Sequence, residues 1–257
     1  MVKGLEIFRT AFQELTDHYV VIGGTACDIL LGREGLRPRA TKDIDIILVT
    51  EALNDRFVDR LSRFLKEGGY RSQEKGGERR QYYRFRDPST PDYPMQIELF
   101  SRSEDAIESE KTGRFTHIAV GEEARSLSAI LMDESYYRHT VEHASTVDGV
   151  RVASVDSIIC LKATAFLDLD GRKKNGESID QRDILKHKND VFRMAVLLAE
   201  NDRFPLPDAL SADLRRFLDT VKDQLPGNDI MKSLNAGDST VEILHAQLYR
   251  NFNMAQQ

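Results

Sequence analysis

Apolar side chains recur at helical spacing over the first 17 residues. Leu5, Ile7, Phe8, Phe12 and Leu15 fall on one face, which predicts an amphipathic helix closing near Asp17. The next apolar run, Tyr19-Val20-Val21-Ile22, is short and β-branched in the manner of a buried strand, and Gly23-Gly24 ends it. A helix is expected from about Thr25 to Leu31, stopping at Gly32, so the opening unit is strand, glycine turn, helix. After a loop rich in arginine, glycine and proline (Arg33 to Arg39), the run Asp-Ile-Asp-Ile-Ile-Leu-Val at 43–49, alternating at its start and β-branched, predicts a second strand. Asn54 to Gly68 reads as a helix with Phe57, Leu61 and Phe64 inward. Strands are expected at Gln81 to Arg86 and Met95 to Phe100, on either side of a turn at Asp87 to Pro91.

Four short strand candidates follow: His117 to Val120, Ser126 to Leu131, Val141 to Val147, and Val150 to Ala153. The last two are joined as a hairpin at Asp148-Gly149. The pattern then changes. Ser154 is placed to cap a helix from Asp156 to Leu169, a polar loop spans Asp170 to Ser178, and helical spacing resumes at Gln181 to Asn201 and Asp208 to Leu225. The expected fold class is α/β (α+β): a mixed β-sheet core flanked by helices over residues 1–153, then a helical domain over residues 154–257.

Composition narrows this picture only a little. With 30% charged and 40% hydrophobic residues the chain has the balance of a globular protein. Its net charge of -6 argues against wholesale coating of nucleic acid. Cys27 and Cys160 lie far apart in apolar stretches and are expected to be reduced and buried. The first 17 residues lack a secretory pattern, and no apolar run is long enough to span a bilayer, so a cytoplasmic location without membrane contact is expected.

Candidate chemistry starts with Asp43 and Asp45. Two apart on a strand, their carboxylates share a face while Ile44 and Ile46 point to the core. Such acids are ordinary surface groups, or they hold a hard divalent cation that relieves their repulsion. Gly23-Gly24-Thr25 lies between a strand and a helix start, where bare N–H groups and the helix dipole favour an anion. Glu98, in Gln-Ile-Glu-Leu-Phe, can face the aspartates if the two strands are neighbours, and three acids from adjacent strands make a cradle for two metal ions.

Three runs together, Val-Ile-Gly-Gly-Thr-Ala at 21–26, Arg-Ala-Thr-Lys-Asp-Ile-Asp-Ile at 39–46 and Ile-Glu-Leu at 97–99, resemble the nucleotidyltransferase superfamily. The spacing of Arg39, Thr41, Asp43 and Asp45 resembles its abortive-infection AbiEii-type toxin group in particular. Lys162 at a helix start, and a basic segment of the next helix running past Asp190, resemble that group's helical motifs. The resemblance implies transfer of a nucleoside monophosphate from a triphosphate (NTP) to an acceptor hydroxyl, with Mg2+ or Mn2+ held by Asp43, Asp45 and Glu98. It implies triphosphate contacts from Gly23, Gly24, Thr25, Arg39 and Thr41, and a base role, direct or supporting, for Glu98. The family often has serine where Gly24 stands and aspartate where Glu98 stands.

Lys162 either offsets charge developing on the α-phosphate or snorkels from an apolar helix. Asp190 either orients Lys162 or the acceptor, or is one acid on a charged surface. Arg172, Lys173, Lys174, Arg182, Lys186 and Lys188 form a local basic excess, which is either a solvated face or a guide for an anionic acceptor. His139 and His143 lie in or beside a strand-like stretch and need not share a helical face, while Tyr82, Tyr83, Tyr136 and Tyr137 read as packing more than as base-stacking. Three functions follow: a toxin-like enzyme that modifies RNA or protein and has a cognate antitoxin, an enzyme that modifies a small antibiotic, and a non-catalytic binder of nucleotide or partner.

Overall fold

Tyr19–Ile22 (β1) has no strongly polar side chain to place and is buried at every position. It forms an interior strand of a sheet in a computed structural model that describes residues 2–49, 51–72, 83–100, 102, 133–237 and 239–254. The chain divides into two compact units, one of Met1–Ile29 with Ala40–Ala153 and one of Leu30–Arg39 with Ser154–Gln257.

In the first unit, Leu5–Phe12 (α1) precedes β1, and Gly23–Arg33 (α2), which belongs to this unit as far as Ile29, follows it at once. Then come Asp43–Leu48 (β2), Asp55–Gly68 (α3), Arg71–Ser72 (β3), Tyr83–Arg86 (β4) and Gln96–Phe100 (β5). Glu134–Glu142 (α4) and the hairpin Ser145–Val147 (β6) and Val150–Val152 (β7) complete it. Among the described residues the sheet runs β3-β4-β5-β2-β1-β7-β6. The pairs β2 with β5 and β1 with β7 are parallel; the others are antiparallel. Register assigns the faces, because paired residues share one. Tyr19 pairs with Leu48 and Val21 with Ile46, so they share a face with Ile44. Tyr19 meets Phe8 and Phe12 edge-on, at ring centroids of 5.3 and 6.1 Å, and Phe12 also meets Phe57 and Phe64 of α3. The aromatic layer of α1 and α3 therefore covers the face opposite Asp43 and Asp45.

Local chemistry explains the boundaries. The Asn54 side chain caps α3 by accepting from the Phe57 N–H at 3.0 Å, and Gly69, in the left-handed region, closes it. Asp148 and Gly149, at φ of 49° and 78°, make the two-residue hairpin turn anticipated from the sequence.

The second unit is helical: Val155–Lys174 (α5), Gln181–Ala195 (α6), Asp208–Val221 (α7), Asp229–Leu234 (α8) and Val241–Asn251 (α9). Phe217 of α7 packs edge-on against Phe166 of α5 at 5.2 Å and tilted against Phe192 of α6 at 6.5 Å. No helix among the described residues is long and apolar enough to cross a membrane. Cys27 and Cys160 are free and buried, as expected.

Several expectations need correction. Residues 141–147 are not one strand: Asp133 caps α4, which carries the chain through Glu142 and leaves only Ser145–Val147 extended. His139 and His143 consequently lie one helical turn apart with ring centroids 4.3 Å from each other. Helix α5 runs on through Lys174, supported by the i,i+4 pairs Asp168–Arg172 and Asp170–Lys174, and the loop begins only near Gly176, at φ 91°. Helix α2 begins at Gly23 and continues through Gly32, and α6 stops at Ala195. The strand candidates His117 to Val120 and Ser126 to Leu131 lie outside the described residues, as does Tyr82.

Candidate active site

The two aspartates of β2 project from the face opposite Ile44 and Ile46, which are buried. Parallel register with β5 sets Asp45 beside Glu98 and Asp43 beside Gln96. Antiparallel register of β5 with β4 sets Arg84 beside Glu98 and Arg86 beside Gln96. Two rows thus cross three strands on one face: Arg84, Glu98, Asp45, and next to it Arg86, Gln96, Asp43.

These rows are wired together. Arg84 Nε lies 2.5 Å from Glu98 Oε1, with side chains only 9% and 12% exposed. Gln96 Nε2 donates to the same oxygen of Glu98, and Arg86 Nε donates to Gln96 Oε1 at 2.5 Å. Arg84 Nε has no aligned acceptor, so its contact with Glu98 is charge against charge more than a directed hydrogen bond. Burial pushes the Glu98 carboxyl above its ordinary range, Arg84 pulls it back, and Asp43 pushes it up again.

Gly23 sits where β1 becomes α2, at φ 69°, and a Cβ there would lie 2.0 Å from Asp45 Oδ2. Glycine is needed twice over at this position, for the left-handed backbone and for the close approach of a carboxylate. The Asp45 carboxylate therefore rests on the first residue of α2, at the positive end of the helix dipole. Gly24, next in the helix, is partly exposed. Thr25 is fully buried and its hydroxyl donates to the Asp43 carbonyl at 2.5 Å, tying α2 to β2 and engaging that hydroxyl with backbone. Thr41 stands two residues before β2, half-buried.

The donor set has the chemistry that a hard divalent cation takes, carboxylate oxygens from two neighbouring strands. Among the described residues, however, no group of three or more His, Cys, Asp and Glu side chains closes into a metal-holding arrangement.

A second cluster is built within the helical unit. Asp190, 1% exposed, takes Arg39 through Nε at 3.0 Å and Nη2 at 2.9 Å, Arg193 Nη1 at 3.0 Å, and Lys162 Nζ at 3.5 Å. Burial alone would raise the Asp190 carboxyl; Lys162, Arg39 and Arg193 together hold it well below the usual carboxylate range. His187 is buried, its Nδ1 has no partner, and burial with the charge of Lys162 pushes its pKa well down. Asp190 is thus no surface acid, and Lys162 does not snorkel to solvent. The flanking basic stretch is largely paired: Arg172 with Glu177, Lys174 with Asp170, Arg182 with Asp180, and buried Lys188 with the Gln224 carbonyl at 2.7 Å. It forms no unpaired cationic strip.

The structure therefore brings together Gly23, Thr25, Asp43, Asp45 and Glu98 in one unit, and Arg39, Lys162 and Asp190 in the other. Sequence reasoning passed over Arg84, Gln96, His187 and Arg193. A signal existed for two of them: Arg84 alternates with Phe85, and Gln96 stands two before Glu98, so both belong to the polar faces of their strands.

The model of the family described as nucleotidyl transferase AbiEii toxin, type IV TA system, matches residues 7–234. No curated protein matches the chain. Two solved structures align along nearly the whole chain. An antigenic nucleotidyltransferase-like protein from Paracoccidioides brasiliensis is 18% identical, with 93% of this chain and 94% of that chain covered and a TM-score of 0.42. JHP933 from Helicobacter pylori is 14% identical, with 96% and 92% covered and a TM-score of 0.35.

Proposed function

The chain belongs to the AbiEii family of nucleotidyltransferase toxins of type IV toxin–antitoxin systems, and from that premise we propose that Asp43, Asp45 and Glu98 serve transfer of a nucleoside monophosphate to a hydroxyl of RNA or protein. Membership carries with it a nucleoside triphosphate as donor and an antitoxin as partner. The observation that carries the reading is the seat of Asp45: its carboxylate lies against Gly23, and Glu98 stands opposite it in register.

Asp43, Asp45 and Glu98 would hold Mg2+ or Mn2+, and that ion would screen the triphosphate and lower the pKa of the acceptor hydroxyl. The chain's own residues do the rest. The N–H groups of Gly23 and Gly24, at the start of α2, would donate to phosphate oxygens, as helix N-termini favour anions. Thr25 keeps α2 fixed to β2, and Thr41 is proposed as a nucleotide contact from the approach to β2. Glu98 accepts the acceptor's proton, or holds the group that does, and its upward-shifted carboxyl suits that task. In the helical unit, Arg39 and Lys162 are proposed as phosphate contacts with Asp190 as their shared anchor, since three cations meet one carboxylate there.

The test incubates the full chain with each labelled nucleoside triphosphate, Mg2+, total RNA, protein extract and candidate antibiotics, beside Asp45→Ala. Label passing to RNA or protein with wild type, and to nothing with a folded Asp45→Ala, supports the proposal. Label on an antibiotic shifts it to a small-molecule acceptor. Undiminished transfer by Asp45→Ala removes that residue from the chemistry.

A further inference from the structure

The third carboxylate of the site already has a cation. Arg84 is held opposite Glu98 by the β4–β5 register and reaches its Oε1 at 2.5 Å, in a spot where neither side chain is more than 12% exposed. We propose that Arg84 is a positioning residue that occupies Glu98 whenever no divalent cation is bound, so that loading the carboxylates requires Glu98 to exchange one partner for the other. The inference rests on the reading of Asp43, Asp45 and Glu98 as the cation-holding set.

Three observations favour exchange over a fixed structural bridge. Glu98 shares its row with Asp45, so a cation on Asp45 competes with Arg84 for the same carboxylate. The Nε of Arg84 is a buried donor without an aligned acceptor, unlike Arg39, whose Nε and Nη2 both make directed bonds to Asp190. Gln96 also donates to Oε1, so Glu98 keeps an anchor when Arg84 lets go. The guanidinium so released would be a buried cation in need of an anion, and its planar fork suits a phosphate oxygen. The same strand supplies an internal control in Arg86, which lies one row away and bonds Gln96 in place of a carboxylate.

The test titrates the full chain with Mn2+ alone and reads free ion by electron paramagnetic resonance. Arg84→Met should bind Mn2+ about tenfold more tightly than wild type, the effect of lifting one close charge from a carboxylate. Arg86→Met should shift binding by less than about threefold, since its charge is farther from the acid. Adding Glu98→Gln to Arg84→Met should abolish the gain. Arg84→Lys, which keeps a charge without the fork, should fall between and is read in its place if the methionine variant does not fold. Binding by the Arg84 variants no tighter than wild type, an equal gain in Arg86→Met, or a gain that survives Glu98→Gln each overturns the inference. Asp45→Asn tells the two readings apart. If it binds Mn2+ like wild type, the carboxylate set itself is wrong; if it loses Mn2+ while the Arg84 variants match wild type, only the role of Arg84 falls.

Discussion

Replacing Gly23 with alanine tests the site at its narrowest point. The new Cβ would stand 2.0 Å from Asp45 Oδ2 and 2.9 Å from its Cγ. Contacts under 3.0 Å do not persist, so the carboxylate must retreat by about 1 Å. A carboxylate is the free end of a short side chain and can rotate away, which makes the clash cheap for the fold. The backbone contribution is larger, because alanine at φ 69° costs about 1–2 kcal/mol. For a chain of this size that corresponds to a melting temperature lowered by roughly 2–8 °C. Nucleotidyl transfer should suffer far more: a misplacement of this order costs about a hundredfold in rate. The assay pairs thermal melting with transfer of label from the preferred triphosphate. Gly32→Ala, in the same helix with nothing within 4 Å of its Cβ, is the control and should leave both readouts near wild type. A Gly23→Ala protein that melts a few degrees low yet transfers label at the wild-type rate would refute the idea that Gly23 exists to seat Asp45.

Asp190→Ala should destabilise the protein by about 3–5 kcal/mol, because it strands Arg39, Lys162 and Arg193 around a lost carboxylate; an unchanged urea midpoint would contradict this. Acid should weaken the helical unit in two stages. His187 is depressed in the fold and binds its proton mainly when unfolded, so stability starts to fall as pH drops below about 6.5. Asp190 is likewise depressed, and its contribution, complete above the ordinary carboxylate range, is lost below about pH 4. Denaturation of His187→Gln across pH 7 to 5 should lack the first stage if this assignment is right. Lys173→Glu with Lys174→Glu should change stability by no more than about 0.5 kcal/mol per site and leave transfer intact, since both lysines lie on a locally paired, exposed face; a large loss of transfer to RNA would reinstate the basic stretch as a guide.

What could be read from the chain was whatever local periodicity encodes. The alternation in Asp-Ile-Asp-Ile assigns faces without knowledge of neighbours, and the hairpin at Asp148-Gly149 is specified by two residues. Pairing is not local. Nothing in the sequence dictates that β5 lies parallel to β2 with Glu98 level with Asp45, and so Arg84 and Gln96, which matter through their cross-strand neighbours, went unnoticed. Burial of charge was invisible for the same reason. Asp190 reads as one acid on a polar helix until Lys162 and Arg39, 28 and 151 residues away, are seen around it. Residues 141–147 misled because the β-branched Val141, Thr146 and Val147 suit a strand, while the decisive cap, Asp133, lies upstream.

The parallel pairing of β2 with β5 also governs how securely the third acid is held in place. Glu98 is flanked by Ile97 and Leu99, both sunk in the interior, and sliding the strand by a single position would bring those two beside Asp45 and Arg84 while turning the acid toward the hydrocarbon layer. A slip of that kind would be costly to the fold itself, through misplaced hydrocarbon and a charge buried without its partner, whatever it did to activity. Greasy neighbours thus act as wardens of the carboxylate, holding that strand in alignment for the sake of stability alone.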